Sequence, residues 1–225
     1  MLRREWITAG HGELWNCRGT YCAVPFEYLP KVNQATHDLG WLDQVSPRLR
    51  DVISDTSTLN ADEKKIANLK TIIEKAQALA LELPEPFLRF MQSAELQAKV
   101  PTCTACYLEL STDFVLIPGV KDQYLLRFMN DSQSCALWYL YFDRNETAAK
   151  VVVSSYFLDP DIFKEMEYEE INYEDIFAEA AICADTFTEF IYRFWIENTI
   201  WYSLSKRVPA TPLQEEYRNH ITKRL

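Results

Sequence analysis

Residues 135–157 read CALWYLYFDRNETAAKVVVSSYF, and this stretch decides the fold. In its first half, alternate positions share a face, and both faces are apolar: Ala136, Trp138, Leu140 and Phe142 on one, Leu137, Tyr139 and Tyr141 on the other. A strand that is apolar on both faces is typical of the centre of a sheet covered on both sides. The turn residues 143–145 then lead into a second strand at 150–157, so we expect the two strands to pair antiparallel.

The same pattern, short apolar runs separated by turns, is found upstream of residue 135. Five strands are predicted, at 106–110, 114–117, 124–129, 136–142 and 150–157. Upstream of them, Asn60 and Glu63 resemble a capping box at the start of a helix, and the step at 83–86 starts a second helix. Downstream, an aromatic helix at 186–206 and a short polar helix at 213–223 follow. We therefore predict an α+β fold: N-terminal helices, an antiparallel meander of about five strands, and C-terminal helices packed on the sheet.

The aromatic helix begins with Thr186 and Glu189, which again resemble a capping box. Its apolar side chains cover most of its circumference, so it must pack into a core or against a partner. Residues 1–58 show no sustained period and are predicted to be a loop-rich N-terminal extension, with a short helix near residues 47–52. The domain proper is predicted to span residues 59–225.

An acidic stretch at residues 159–179 separates the strands from the aromatic helix. It holds nine Asp and Glu residues against Lys164, a local charge of −8 (nine acids less one base), within a chain of net charge −10. One interpretation is a solvated surface, and the other is a face that meets a basic protein partner. The interleaved aromatic and aliphatic residues favour the second. The predicted partner-binding residues are Asp161, Glu165, Glu167, Tyr168, Glu169, Glu170, Tyr173 and Glu174. A calcium loop is a weaker alternative, because Asp159 and Asp161 are not followed by the remaining ligands.

The composition of the chain disfavours nucleic acid and membranes as ligands. The negative net charge disfavours nucleic acid, because binding to phosphates depends on Lys and Arg. Residues 1–17 lack an apolar signal sequence, and the longest apolar run, 136–142, is too short to span a bilayer. We therefore expect a cytoplasmic protein that binds neither nucleic acid nor membrane.

Six cysteines invite a metal or redox interpretation. Cys103 and Cys106 have the spacing of a zinc-binding pair, and Cys17 with Cys22 would supply the other two ligands. The first pair alone would make a redox dithiol, although it does not open a helix. Reduced thiols are the expectation for such a chain, so no metal and no cofactor are predicted.

Catalytic patterns are not found in the sequence. The five glycines form neither a phosphate-binding loop nor a dinucleotide fingerprint, and no G-x-S-x-G elbow accompanies the three histidines. These patterns predict a protein that is not an enzyme.

Three segments together resemble the SUKH superfamily, which includes the fungal SMI/KNR-type regulators and many bacterial immunity proteins. The first is LPEPFLRF at 83–90, which is similar to the family's entry into an aromatic-rich helix. The second is 134–155, similar to its paired central strands, and the third is 186–198, similar to its C-terminal helix. The resemblance covers roughly residues 60–206, leaving the N-terminal extension outside it. After Phe90 the chain runs through Ala94-Glu95-Leu96, where many members have an Asn-Gly-Gly-like turn.

This resemblance implies an α+β protein without catalytic residues. Its bacterial members neutralise polymorphic toxins, often nucleases, by direct binding, so it implies an immunity protein whose partner is a basic toxin domain. Its fungal members imply an alternative, a regulatory or scaffold protein that organises signalling or cell-wall partners.

Overall fold

A computed structural model describes residues 2–9, 11, 15–17, 21–32, 39–54, 58–59, 66–117, 119–159, 162 and 173–224, and all structural statements concern these residues. The strands are β1 Arg3–Ala9, β2 Tyr21–Pro25, β3 Tyr107–Leu108, β4 Val115–Leu116, β5 Gln123–Asn130, β6 Leu137–Asp143, β7 Lys150–Ser154 and β8 Ala181–Ala184. The α-helices are α1 Pro47–Ser54, α2 Leu69–Ala78, α3 Glu85–Met91, α4 Ala94–Ala98, α5 Tyr173–Glu179, α6 Phe187–Ser205 and α7 Pro212–Thr222.

The described strands form one eight-stranded mixed sheet in the order β2-β1-β8-β7-β6-β5-β3, and β4 also pairs with β5. Every pairing is antiparallel except that of β1 with β8. The predicted α+β class, with a largely antiparallel meander and helices packed on it, is confirmed. All five predicted strands are present, the first two being only two residues long.

Strand β6 lies inside the sheet, as its pattern predicted. Trp138 and Leu140 point into the larger core, which α3 and α6 cover. Leu137 and Tyr139 point to the opposite face, where Ile176 of α5 packs. Both faces of the strand are therefore covered, because each carries large apolar side chains that gain from leaving water.

Helix α6 crosses the larger core. The Thr186 hydroxyl accepts a hydrogen bond from the Glu189 N–H at 3.1 Å, which confirms the predicted N-cap. The Glu189 carboxylate accepts from the N–H of Asp185, so the reciprocal bond is made one residue before the predicted one. Most of the helix is buried, Trp195 included, as its all-round apolar sequence predicted. Neither this helix nor any other described helix has the length and apolar character needed to cross a membrane.

The segment predicted to be loop-rich contains two strands, β1 and β2, that sequence analysis did not predict. They form an antiparallel hairpin, and β1 continues the sheet through parallel pairs of Arg3 with Ala181 and of Arg4 with Ile182. Trp6 of β1 packs in the larger core. β1 begins with three consecutive charged residues, Arg3, Arg4 and Glu5, which break the alternation typical of a strand. β8 is only four residues long. Neither segment therefore gives a strong strand signal by itself. The predicted division of the chain at residue 58 stays a prediction.

Glu197, at the middle of α6, connects this hairpin to the core. The Trp6 indole N–H donates to both carboxylate oxygens, at 2.8 and 2.9 Å, and the Tyr217 hydroxyl of α7 donates to Oε1 at 2.8 Å. His11 Nε2–H donates to the Glu197 backbone carbonyl at 2.8 Å. One helical residue therefore joins β1, His11 two positions after the end of that strand, and the C-terminal helix.

The two titratable members of this cluster shift in opposite senses. Burial raises the pKa of Glu197 to about 7, although the Trp6 and Tyr217 hydrogen bonds act against the rise. Burial lowers the pKa of His11 to about 4, against the effect of its hydrogen bond to the Glu197 carbonyl. Glu197 therefore stabilises the fold most below its ordinary pKa, and that stability is lost as the pH rises towards 7. His11 stabilises the fold most above its ordinary pKa, and that stability is lost as the pH falls towards 4.

We predict that the two contributions nearly cancel between their ordinary pKa values, 4.5 for Glu197 and 6.5 for His11, and that single variants separate them. Relative to the wild type, Glu197→Gln should lose stability as the pH falls through this window, and His11→Gln should lose it as the pH rises. Each difference should have a slope of up to about 1.4 kcal/mol per pH unit. Urea unfolding at several pH values measures it. Parallel profiles for the two variants and the wild type would contradict the assignment.

Candidate functional site

A groove of about 830 Å³ lies at the β3/β4 edge of the sheet. Its floor is formed by Arg127 of β5 and by Asp159, which follows β7. Its walls are residues 109–116, which run between and through the two short edge strands, and residues 67–68 at the start of α2. Three carboxylates (Glu109, Asp113 and Asp159) and one guanidinium line it, a charge of −2 (three less one). We refer to it as the acidic groove.

The floor depends on a buried arginine. Arg127 is only 4% exposed, and its Nε donates to Asp159 Oδ2 at 3.0 Å. Its Nη1 donates to Glu109 Oε2 at 2.8 Å and to Asn130 Oδ1 at 2.9 Å. The Phe157 ring lies over the guanidinium, 5.3 Å from its carbon to the ring centroid. A buried charge needs such partners, because burial without them is very costly.

A second set of hydrogen bonds holds Asp159 in place. Tyr139 of β6 donates its hydroxyl proton to Asp159 Oδ2 at 3.0 Å, and the Leu158 N–H donates to the same hydroxyl oxygen at 2.9 Å. Burial raises the pKa of Tyr139, and the Asp159 charge adds to the rise, so the phenol keeps its proton. Burial by itself would lower the pKa of Arg127, but the charge of Asp159 and the hydrogen bond to Glu109 outweigh it and raise the pKa. Arg127 therefore keeps its positive charge at neutral pH.

Of the two carboxylates that pair with Arg127, Glu109 is the one accessible to solvent. Its side chain is 33% exposed, whereas the side chains of Arg127 and Asp159 are 5% and 10% exposed. Oε2 accepts from Arg127 and, at 2.6 Å, from Asn130 Nδ2, so the carboxylate is oriented by two donors. A carboxylate that is both fixed and open to solvent is ready to accept hydrogen bonds from a cationic side chain.

The rim adds apolar contact. Leu116 of β4 is 53% exposed and is the one exposed large hydrophobic side chain among the described residues. Behind the same 109–116 wall, Lys75 of α2 pairs with Asp113 at 2.6 Å and donates to the Thr112 carbonyl at 3.0 Å. Asn68 Nδ2 donates to the Ser111 carbonyl at 2.7 Å. These bonds fix the 109–116 wall against α2, so the groove is largely preformed.

Most of the predicted partner-binding residues fall outside the described part of the chain: Asp161, Glu165, Glu167, Tyr168, Glu169 and Glu170. Tyr173 is the first residue of α5, and Glu174 is exposed in the first turn of that helix. The two described ends of the acidic stretch lie in different parts of the structure. Asp159 lies in the groove floor, and Glu174 lies beside Gly119. The acidic character of the stretch was evident from the sequence, but its contact with the groove was not.

Sequence analysis missed Glu109 and Arg127. A signal was present, because Arg127 is the one charged residue inside the apolar run of β5, and a charge in a central strand requires partners. The sequence does not identify those partners, since Glu109 precedes Arg127 by 18 positions and Asp159 follows it by 32.

The four cysteines of the zinc alternative all lie in the described part of the chain. Among the residues that the structure describes, no group of three or more His, Cys, Asp or Glu side chains is placed to hold a metal ion. Burial raises the pKa of Cys103 to about 12 and also raises that of Cys106. The Tyr21 hydroxyl lies 3.5 Å from Cys106 Sγ and donates to Asp131. Both thiols therefore hold their protons at neutral pH, which disfavours the redox dithiol, because a redox nucleophile acts as a thiolate.

Comparison with protein-family models, with curated proteins and with solved structures finds no match for this chain. The resemblance to the SUKH superfamily therefore stays a prediction, carried by the three segments named above.

We predict that Arg127 is essential to the floor. Arg127→Met leaves the Asp159 charge buried beside Tyr139 without its partner, and should lower the free energy of unfolding by about 3–5 kcal/mol. The double variant Arg127→Met/Asp159→Leu removes both charges and should recover part of that loss. Urea unfolding measures both.

Lys75→Met provides the control, because its ion pair with Asp113 is exposed and should contribute at most about 1 kcal/mol. A loss from Arg127→Met no larger than that of Lys75→Met, or a double variant no more stable than the single, would contradict this account of the floor.

Proposed function

We propose that the protein is a non-enzymatic binding module that receives a basic segment of a protein partner in the acidic groove. The carrying observation is the Glu109 carboxylate, oriented by Arg127 and Asn130 and one-third exposed, in a groove that the exposed Leu116 also lines. A lysine or arginine of the partner would pair with Glu109, while an apolar neighbour would pack on Leu116. Such a pairing of a charged acceptor with an apolar contact is typical of protein interfaces.

The acidic stretch supports the same partner chemistry. Asp159 in the groove floor is its first residue, and the stretch contributes a charge of −8 by sequence. A field of one sign raises the rate at which an oppositely charged protein associates, and repels partners of the same sign. The partner is therefore proposed to be basic at the surface that docks here.

The resemblance to the SUKH superfamily supports a more specific proposal. The protein would be a bacterial immunity protein, and the basic surface would be that of a polymorphic toxin domain such as a nuclease. Neutralisation would then need no catalytic group in this chain: the acidic surface would occupy the positively charged region where the toxin binds its own polyanionic substrate. Arg127, Asp159 and Tyr139 would hold the surface in shape.

The test begins with capture of the partner by the full-length chain from its host, followed by stopped-flow association with the purified pair. Glu109→Gln keeps an oxygen acceptor for Arg127 and removes one charge. It should weaken binding by about 1.5–3 kcal/mol, the range for a hydrogen bond to a charged group, which is roughly one to two orders of magnitude in Kd. Glu215→Gln, on an exposed position of α7 outside the groove, is the matched control and should bind as wild type.

A second variant tests the acidic stretch. Replacing Glu167, Glu169 and Glu170 with Lys should slow association at low salt and flatten its dependence on ionic strength. If a captured toxin is enzymatic, one equivalent of wild-type protein should abolish its activity. If Glu109→Gln and the wild type bind the partner with equal affinity, the acidic groove is not the binding site. Tight binding that leaves the partner's activity intact would favour the regulatory or scaffold alternative over the immunity protein.

A further inference from the structure

The two short strands β3 and β4 are the halves of one edge strand. Both run antiparallel to β5, β3 opposite residues 129–130 and β4 opposite residues 124–125. Between them, the N–H groups of Glu109 and Ser111 continue the ladder, each with a bond of 3.0 Å to a β5 carbonyl, and residues 112–114 then bulge out of it. The acidic groove therefore lies along a single sheet edge that one bulge interrupts.

Helix α2 and the residue before it protect the bulge. Asn68 donates to the Ser111 carbonyl at 2.7 Å, and Lys75 donates to the Thr112 carbonyl at 3.0 Å. Edge strands of soluble proteins are commonly protected in this way, by bulges and by elements that cover them. The protection does not extend to Leu116 of β4, whose side chain is 53% exposed. The open part of the edge is therefore β4.

The main-chain groups of Leu116 point away from the sheet. The Ile117 N–H donates to the Gln123 carbonyl at 3.1 Å, and Leu116 lies opposite Tyr124. Because hydrogen-bonded and non-hydrogen-bonded pairs alternate along an antiparallel ladder, Leu116 and Tyr124 form a non-hydrogen-bonded pair. The N–H and C=O of Leu116 therefore face outward, and within the described part of the chain neither has a hydrogen-bond partner.

The side chains along this edge divide between the two faces of the sheet. Leu108 and Leu110 pack in the larger core, so Glu109 between them points to the opposite face. Val115 packs in the smaller core, so Leu116 after it points to the face of the larger core. Glu109 and Leu116 therefore offer an acidic contact on one face of the edge and an apolar contact on the other.

The face that carries Glu109 is negative after its ion pairs are counted. Glu109 and Asp159 share Arg127, which leaves a charge of −1 (two acids less one base). Asp113 adds nothing to this charge, because Lys75 pairs with it at 2.6 Å. A cationic side chain on this face is therefore attracted, and an anionic one is repelled.

We propose that the partner's basic segment binds as an added β-strand on the outer edge of β4, and that apolar and basic residues alternate along it. The outward N–H and C=O of Leu116 bond its main chain, as in other complexes formed by strand addition. Successive side chains of a strand point to opposite faces, so apolar ones meet Leu116 and basic ones meet Glu109. This inference rests on the function proposed for the acidic groove and adds the conformation and the residue pattern of the segment.

The probe is a short capped peptide of alternating valine and lysine, titrated into the full chain by isothermal calorimetry. In a strand, the valine N–H groups point to one edge and the lysine N–H groups to the other, so N-methylation of either set blocks one edge only. One of the two N-methylated peptides should bind about tenfold more weakly than the other. Equal affinities of the two would overturn strand addition. A peptide with the same residues in two blocks should also bind about tenfold more weakly than the alternating one, and equal binding would overturn the pattern.

Two variants of one residue place the binding on β4. Leu116→Pro removes the outward N–H without removing a bond to β5, a position at which an edge strand tolerates proline. It should bind the alternating peptide about tenfold more weakly than wild type. Leu116→Val keeps the N–H and an apolar side chain, and should bind within about threefold of wild type. Equal binding by the two variants would overturn the proposal. Circular dichroism and the urea midpoint report whether each is folded, and if Leu116→Pro is not, the N-methylated peptides decide.

Glu109→Gln separates strand addition from the proposed function. If this variant binds the alternating peptide more weakly while the two N-methylated peptides bind wild type equally, the acidic groove receives basic segments, but not as a strand. If the alternating peptide shows no saturable binding to wild type, strand addition is overturned. The acidic groove is then judged by Glu109→Gln with the captured partner alone.

Discussion

The enclosure of α6 is the constraint on which the rest of this structure depends. Its sequence is apolar around most of its circumference, so a sheet on one side leaves large aromatic side chains without cover. The structure closes the remaining sides with α3, α1, α7 and the hairpin of β1 and β2. The N-terminal segment is therefore held by the same burial that holds the C-terminal helix. The two ends of the chain meet across this one element.

Buried polar groups in α6 specify how those elements meet. Glu197 accepts from Trp6 and Tyr217, and Asn198 Oδ1 accepts from the Cys103 N–H at 2.8 Å. An apolar core tolerates small shifts in register, whereas a buried carboxylate loses its donors if a neighbour slides by one residue. The three partners of these two residues come from distant parts of the chain, and each is thereby assigned one position.

Part of the acidic groove can be predicted from the sequence, and part of it cannot. The acidic stretch at 159–179 is evident from composition, because charge is counted without knowing the fold. Arg127 stands out as the one charge in an apolar strand. Its partners Glu109 and Asp159 do not stand out, since each is an ordinary acidic residue until the sheet edge and the chain after β7 are brought together.

The sequence by itself determined the α+β class, the five strands from β3 to β7, the buried centre at β6, and α6 with its Thr186 cap. Each of these depends on residues that are neighbours along the chain, through side-chain alternation, helical periodicity, turns or a cap. Only the tertiary structure decided that β1 pairs parallel with β8, that Glu109 and Asp159 share one arginine, and that Trp6 and Tyr217 share one carboxylate. Those pairings join residues far apart in the chain, and they are selected because they bury the apolar faces while leaving the buried charges bonded. That condition applies to the whole packed molecule and to no single segment of it.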